Sequence, residues 1–130
     1  MDTKEEKKAW HEIKIGKRFL NAFRGMHVWF MTTRHLFILI FAAVMVIIFG
    51  FLFKVSSFEW IALIFAIGFV IVGELFNTAI EIDIDLTSPE YHPFARDTKD
   101  VAAAAVLLSI FTAIIIGLII FLPKFFNVLI

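Results

Sequence analysis

The sequence predicts an all-α integral membrane protein, an amphipathic surface helix followed by three membrane-spanning helices. Three observations carry that expectation. Hydrophobic residues fill 61% of the 130 positions, against roughly 45–50% in a soluble domain. Leu36–Phe53, Trp60–Ile80 and Val101–Leu122 are apolar runs of 18, 21 and 22 residues, close to the ~20 that cross a bilayer as a helix. The formal net charge is zero, yet eight of the twelve Lys and Arg residues precede Leu36. One domain over 1–130 accommodates this length, with a tail and surface helix in 1–34 and membrane helices at 35–54, 58–86 and 98–122.

From Ala9 to about Gly25, Ile13, Phe19, Leu20, Phe23 and Met26 fall on one side of a helix. Lys14, Lys17, Arg18, Asn21 and Arg24 gather on the other side. A basic amphipathic helix rests on anionic headgroups. It is an anchor, or an anchor whose basic face also covers a nucleotide; no nucleic-acid partner is expected. The first span is separated from the second only by Lys54-Val-Ser-Ser-Phe-Glu59, a tight hairpin. Ser88-Pro89 should break the second span, because the residue before a proline is biased away from helix. Pro93 should keep the following loop irregular, Asp97 or Thr98 should cap the third helix, and Pro123 should end it. The four alanines 102–105 permit close helix approach. Arg96 and Lys99 lie between the second and third spans, while Lys54 and Lys124 fall at the opposite ends. The positive-inside rule then puts the N-terminus and the 82–100 segment in the cytoplasm. The absence of cysteine excludes disulfide and thiol chemistry.

Polar groups at membrane depth are costly and tend to mark sites. Glu74, Asn77 and Glu81 lie at i, i+3 and i+7 at the end of the second span, and Asp85 continues the row. Glu74, deepest and flanked by Val72, Leu75 and Phe76, suits a proton acceptor. Glu81, nearer water, suits a Mg²⁺ shared with nucleotide phosphates. Asn77 can orient either carboxylate. Lys99 offers a positive charge to phosphate, and Asp100 can position Lys99 or accept from a nucleotide. Taken singly, these residues also have plainer readings. Glu74 could make a hydrogen bond across an oligomer interface, and Glu81 and Asp85 could be merely solvated, as Asp83 is expected to be. His11, His27, His35 and His92 lack metal-ligand spacing, and there is no Walker A sequence or kinase-type glycine loop. Together the carboxylates and the lysine point to phosphoryl transfer at a membrane surface.

The run Glu74-x-x-Asn77-x-Ala79-Ile80-Glu81, followed by Asp85, Glu90-Tyr91-His92 and Lys99-Asp100 before an alanine-rich span, resembles the small prokaryotic diacylglycerol kinase/undecaprenol kinase family. The resemblance covers about residues 13–122. It implies a homotrimeric lipid kinase of the inner, cytoplasmic membrane, with its active site at the cytoplasmic face, using ATP and Mg²⁺. Glu74 matches the catalytic base and, with Ala103, a lipid contact. Glu81 matches a ligand of metal and nucleotide, and Lys14, Asn21, Glu90, Tyr91, His92, Lys99 and Asp100 match contacts to ATP. The form His92-Pro93-x-Ala95-Arg96 is similar to the undecaprenol kinase branch, with diacylglycerol as the alternative substrate. One position departs from the family. Thr33 stands eight residues after Gly25, where the family places a second metal-binding glutamate, so the alternative is a kinase-like protein without turnover.

Overall fold

The computed structural model describes residues 3–5 and 15–129. The beginning of the expected surface helix, with His11, Ile13 and Lys14, lies outside the described residues. Among them there is no strand, and the long elements are four helices: α1 (Ile15–Thr32), α2 (Leu36–Leu52), α3 (Ser57–Thr87) and α4 (Pro93–Leu129). The chain divides into two compact units, residues 1–33 and 34–130.

In the first unit, α1 is longer than the expected end near Gly25. Its apolar stripe is bare, with Phe19 at 68% and Leu20 at 69% exposure. A stripe this open beside Lys17, Arg18 and Arg24 suits insertion at a bilayer surface. The helix ends by turning side-chain hydroxyls back on its own last turn. Thr32 Oγ1 donates to the Val28 carbonyl at 2.8 Å, and Thr33 Oγ1 donates to the Trp29 carbonyl at 2.7 Å.

In the second unit, α3 and α4 are long and apolar enough to cross a membrane. The 17 residues of α2 span about 26 Å at 1.5 Å per residue, a little under the hydrocarbon thickness. The hairpin after α2 is closed by backbone bonds: Lys54 N–H donates to the Phe51 carbonyl at 3.2 Å and Val55 N–H to that of Gly50 at 3.1 Å. These are the two bonds of a Schellman motif, with Lys54 at the left-handed position, φ 50°, where glycine is the usual choice. Helix α3 then starts with a capping box. The Ser56 hydroxyl accepts from Glu59 N–H at 3.2 Å, and the Glu59 carboxylate accepts from Ser56 N–H at 2.8 Å. Two orphan donors of the first turn are thereby satisfied.

Both ends of α4 differ from expectation. Pro93 is the first residue of α4 rather than part of an irregular loop, because its fixed φ and missing N–H suit a first helical position. The residue ahead of it is His92, whose Nδ1 accepts from Phe94 N–H at 3.1 Å. Asp97 and Thr98 therefore do not cap the helix; Thr98 Oγ1 donates to the Phe94 carbonyl at 2.7 Å inside it. Pro123 does not end α4, which continues to Leu129. That continuation brings Lys124 Nζ within 3.1 Å of the Glu59 carboxylate, an ion pair half-buried at the hairpin end. As expected, α3 stops just before Pro89, with Ser88 N–H donating to the Ile84 carbonyl at 2.8 Å.

Helices α3 and α4 run antiparallel in steady register. Glu59 meets Lys124 at one end and Asp85 meets Lys99 at the other. Between them Leu63 packs into one core with Ile120 and Val55, and Gly73 lies against Ser109 and Val106. In lipid, helices associate through close packing rather than the hydrophobic effect, and the small residues Ala66, Gly73, Ala102 and Ser109 let this seam close. The buried Ser109 hydroxyl is satisfied within α4 by the Val106 carbonyl at 2.7 Å.

Gly50 is the tightest point of the α2–α3 hairpin. A β-carbon there would overlap the indole of Trp60, with Cζ2 at 2.8 Å and Cζ3 at 2.9 Å, while Phe51 holds that indole from the side at a 5.0 Å centroid distance. Gly50→Val should therefore cost about 1–3 kcal/mol through overpacking, measured by thermal unfolding in detergent. The loss should vanish in a Trp60→Ala background. An equal loss in both backgrounds would show that the indole is not the obstacle.

Candidate functional site

The polar row predicted for the second span lies on one unbroken helix, because α3 runs through to Thr87. Glu74 is half-buried, and Glu81 and Asp85 are exposed. At 1.5 Å per residue, Glu81 is about 10 Å beyond Glu74 along the axis and Asp85 about 6 Å farther. Asn77 Nδ2 donates to Glu81 Oε1 at 3.4 Å, a long bond that still ties the amide to the carboxylate one turn away. Its Oδ1 is buried without a partner. Asn77 thus orients Glu81, and the structure gives it no bond to Glu74. Asp83 is exposed off the row, as expected, and its backbone carbonyl accepts from the Thr87 hydroxyl at 2.8 Å.

Beyond the row, the end of α3, the 88–92 connection and the first turns of α4 enclose a pocket of about 270 Å³. Glu90, Tyr91, His92, Lys99 and Asp100, which the sequence assigns to nucleotide, line it together with Asp85, whereas Glu81, assigned to nucleotide as well, does not. Arg96 lines it as well. Its guanidinium donates to Asp97 Oδ1 through Nε at 3.0 Å and Nη2 at 2.8 Å, and to the Tyr91 hydroxyl at 3.3 Å. The connection is braced by Ser88 Oγ donating to the Glu90 carbonyl at 3.2 Å. Lys99 Nζ meets Asp85 Oδ1 at 2.5 Å. Asp100 is therefore not the group that positions Lys99. Neighbours on a helix point about 100° apart, whereas Asp85 lies directly across the turn.

A second, apolar groove of about 330 Å³ lies deeper between α3 and α4, bordered by Phe69, Gly73, Asn77, Ala102, Ala105 and Ser109. Neither Glu74 nor Ala103 lines it. Ala103 is exposed on α4, so the structure does not place these two together in a shared cavity. Asn21 is exposed on α1, and Lys14 lies outside the described residues. Two features of the site escaped the sequence. The Asp85–Lys99 pair joins residues 14 apart across a turn, with no local signal. Arg96 does carry a signal, since it precedes Lys99 by three positions and so shares its helix face.

Among the described residues no group of three or more His, Cys, Asp or Glu side chains could hold a metal ion. The donors present are the carboxylates of Glu81 and Asp85, one turn apart on α3. Such a set fits Mg²⁺, which takes one or two carboxylates and completes its shell with water and phosphate oxygens.

A family model described as prokaryotic diacylglycerol kinase matches residues 20–121. The chain belongs to that family, and with its long apolar helices it is a membrane protein. It is 40% identical to an undecaprenol kinase of Bacillus subtilis over 124 residues, covering 95% of this chain and 99% of that relative. It is 33% identical to a diacylglycerol kinase of Synechocystis over 129 residues, covering 95% of this chain and 72% of the relative. A diacylglycerol kinase of Escherichia coli is 36% identical over 61 residues, covering 47% of this chain and 50% of the relative.

Proposed function

We propose that this protein is a lipid kinase that transfers the γ-phosphoryl group of ATP to the hydroxyl of a membrane lipid, with undecaprenol as the substrate and diacylglycerol as the alternative. The observation that carries the reaction class is the continuity of the α3 carboxylate row with the cation-lined pocket at its outer end. The substrate order rests on the similarity to an undecaprenol kinase over 99% of that protein's length.

In this reading the nucleotide lies along the row, with its phosphates against Lys99 and its γ-phosphoryl toward Glu81. Tyr91, His92, Glu90 and Asp100 contact the nucleotide at the pocket, and Glu81 holds Mg²⁺. Bound Mg²⁺ would neutralise phosphate oxygens as charge shifts in the transition state. Glu74 accepts the lipid hydroxyl proton, the lipid oxygen bonds to the γ-phosphorus, and the bond to the β-phosphate oxygen breaks to release ADP. The lipid hydroxyl reaches Glu74 from the bilayer, and the small, exposed Ala103 contacts the lipid farther along α4, toward the Lys99 end. We also infer a homotrimer in the inner membrane, with the Asp85–Lys99 end at the cytoplasmic face. The broad apolar exposure of α2 and α4, such as Phe37 at 86%, is compatible with burial by lipid and by further copies.

A second reading has its own observation. Thr33 occupies the position of an expected metal-binding glutamate, and its hydroxyl is engaged by the Trp29 carbonyl. A neutral oxygen so held cannot replace a carboxylate's charge. The protein would then bind nucleotide or lipid without turnover.

Purified protein offered undecaprenol and diacylglycerol with labelled ATP tests the substrate order; labelling of diacylglycerol alone would reverse it. Glu74→Gln keeps size and most hydrogen bonding but removes the base, and should lower turnover about 10²- to 10⁴-fold. Near-normal turnover in that variant would reassign the base. Thr33→Glu should lower the Mg²⁺ concentration needed for half-maximal activity. A parent inactive at every Mg²⁺ and Mn²⁺ concentration, with activity arising in Thr33→Glu, would establish the second reading.

A further inference from the structure

The lysine assigned to phosphate is already occupied. Lys99 Nζ is held by Asp85 Oδ1, and both side chains lie on the wall of the 88–92 pocket. The pair remains 40% and 68% exposed at Lys99 and Asp85 respectively, and ion pairs that open to water are weak. Arg96, the other cation on the pocket wall, is held differently. Its carboxylate partner, Asp97, lies outside the pocket, and three of the five guanidinium donors are used. Arg96 can therefore accept an anion without releasing Asp97, whereas Lys99 meets a carboxylate that stands inside the pocket where an anion would enter.

We propose that Asp85 is the exchangeable counter-ion of Lys99 and makes the pocket selective for the metal complex of a nucleotide over the free nucleotide. This rests on the nucleotide reading above and adds a residue to it. Before nucleotide binds, the Asp85 carboxylate stands in for phosphate. When a polyphosphate binds, one of its oxygens replaces that carboxylate on Lys99. The freed Asp85 lies one turn from Glu81 on the same face of α3. Its charge repels a bare polyphosphate and attracts the cation that accompanies a complexed one. Asp85 is thus a positioning residue acting through Lys99, with the nucleoside triphosphate–divalent cation complex as its ligand class.

The test is equilibrium binding of labelled ATP to the full chain in detergent, once with excess EDTA and once with Mg²⁺. Asp85→Asn and Asp85→Ser are measured in parallel, so that one misfolded variant does not decide the outcome. Both should bind metal-free ATP about two- to fivefold more tightly than the parent, the range expected for losing one exposed charge contact. Affinity for the Mg²⁺ complex should not rise, and Asp85→Glu should restore the parent's preference. The gain should shrink in a Lys99→Met background. Weaker or unchanged binding of metal-free ATP would overturn the proposal, because a merely structural tie between α3 and α4 predicts that outcome. An undiminished gain without Lys99 would overturn it too. A parent that binds ATP under neither condition would instead defeat the nucleotide reading itself.

Discussion

The seam between α3 and α4 is held at both ends by opposite charges, and the cost of charge in hydrocarbon determines where those ends lie. Glu59 and Asp85 are 26 positions apart on α3, and Lys99 and Lys124 are 25 apart on α4. At 1.5 Å per residue both separations are close to 38 Å, somewhat more than the hydrocarbon core of a bilayer. The two ion pairs can thus sit in the interfacial layers on either side, and no charged residue lies between Glu59 and Glu74 on α3 or between Asp100 and Lys124 on α4. Ser109 is the one buried polar side chain along the seam, and it satisfies its hydroxyl on its own helix. The remaining polar groups, from Glu74 outward, are displaced toward one end and form the site.

Much of this was legible in the sequence, for identifiable reasons. Apolar runs and basic asymmetry reflect the transfer of side chains between water and lipid, a property each residue carries locally. The row Glu74, Asn77, Glu81, Asp85 follows from helical periodicity alone, so its shared face was readable before any coordinates. Less legible were features that depend on two segments meeting. From sequence, Asp100 can position Lys99 or accept from a nucleotide, because only neighbours along the chain can be paired without knowing the packing. The Asp85 contact instead requires knowing how the 88–92 turn lays α4 against α3. From sequence, Pro93 belongs to an irregular loop and Pro123 ends the third helix. Pro93 begins the helix because a first position lacks the hydrogen bond that proline would forfeit. Pro123 is carried within it, while the Lys124–Glu59 contact and the Phe121 packing hold the flanking turns in place.

The site is therefore assembled mostly on helices, with only Glu90, Tyr91 and His92 on connecting backbone. Groups on rigid elements are placed more closely than groups on loops. His92 shares in this rigidity, since the nitrogen that caps α4 also fixes its ring, which lies 5.5 Å from Phe94 by centroid. The arrangement from deep carboxylate to outer cation also separates chemistry by polarity. In the proposed reaction, proton acceptance would sit where lipid can approach, and phosphate binding where water and ions can.

Helix α4 passes without interruption from Arg96 and Lys99 to Lys124, and this makes its length a stricter constraint than its composition. Exchanging one aliphatic residue for another between the two planes leaves the apolar slab intact. Adding or deleting a single residue there would rotate one end against the other by about 100° and shift it by about 1.5 Å. Lys124 and Lys99 could then not both face their acidic partners. The stretch behaves as a ruler and a protractor at once: its lettering is loosely specified, and its count is not.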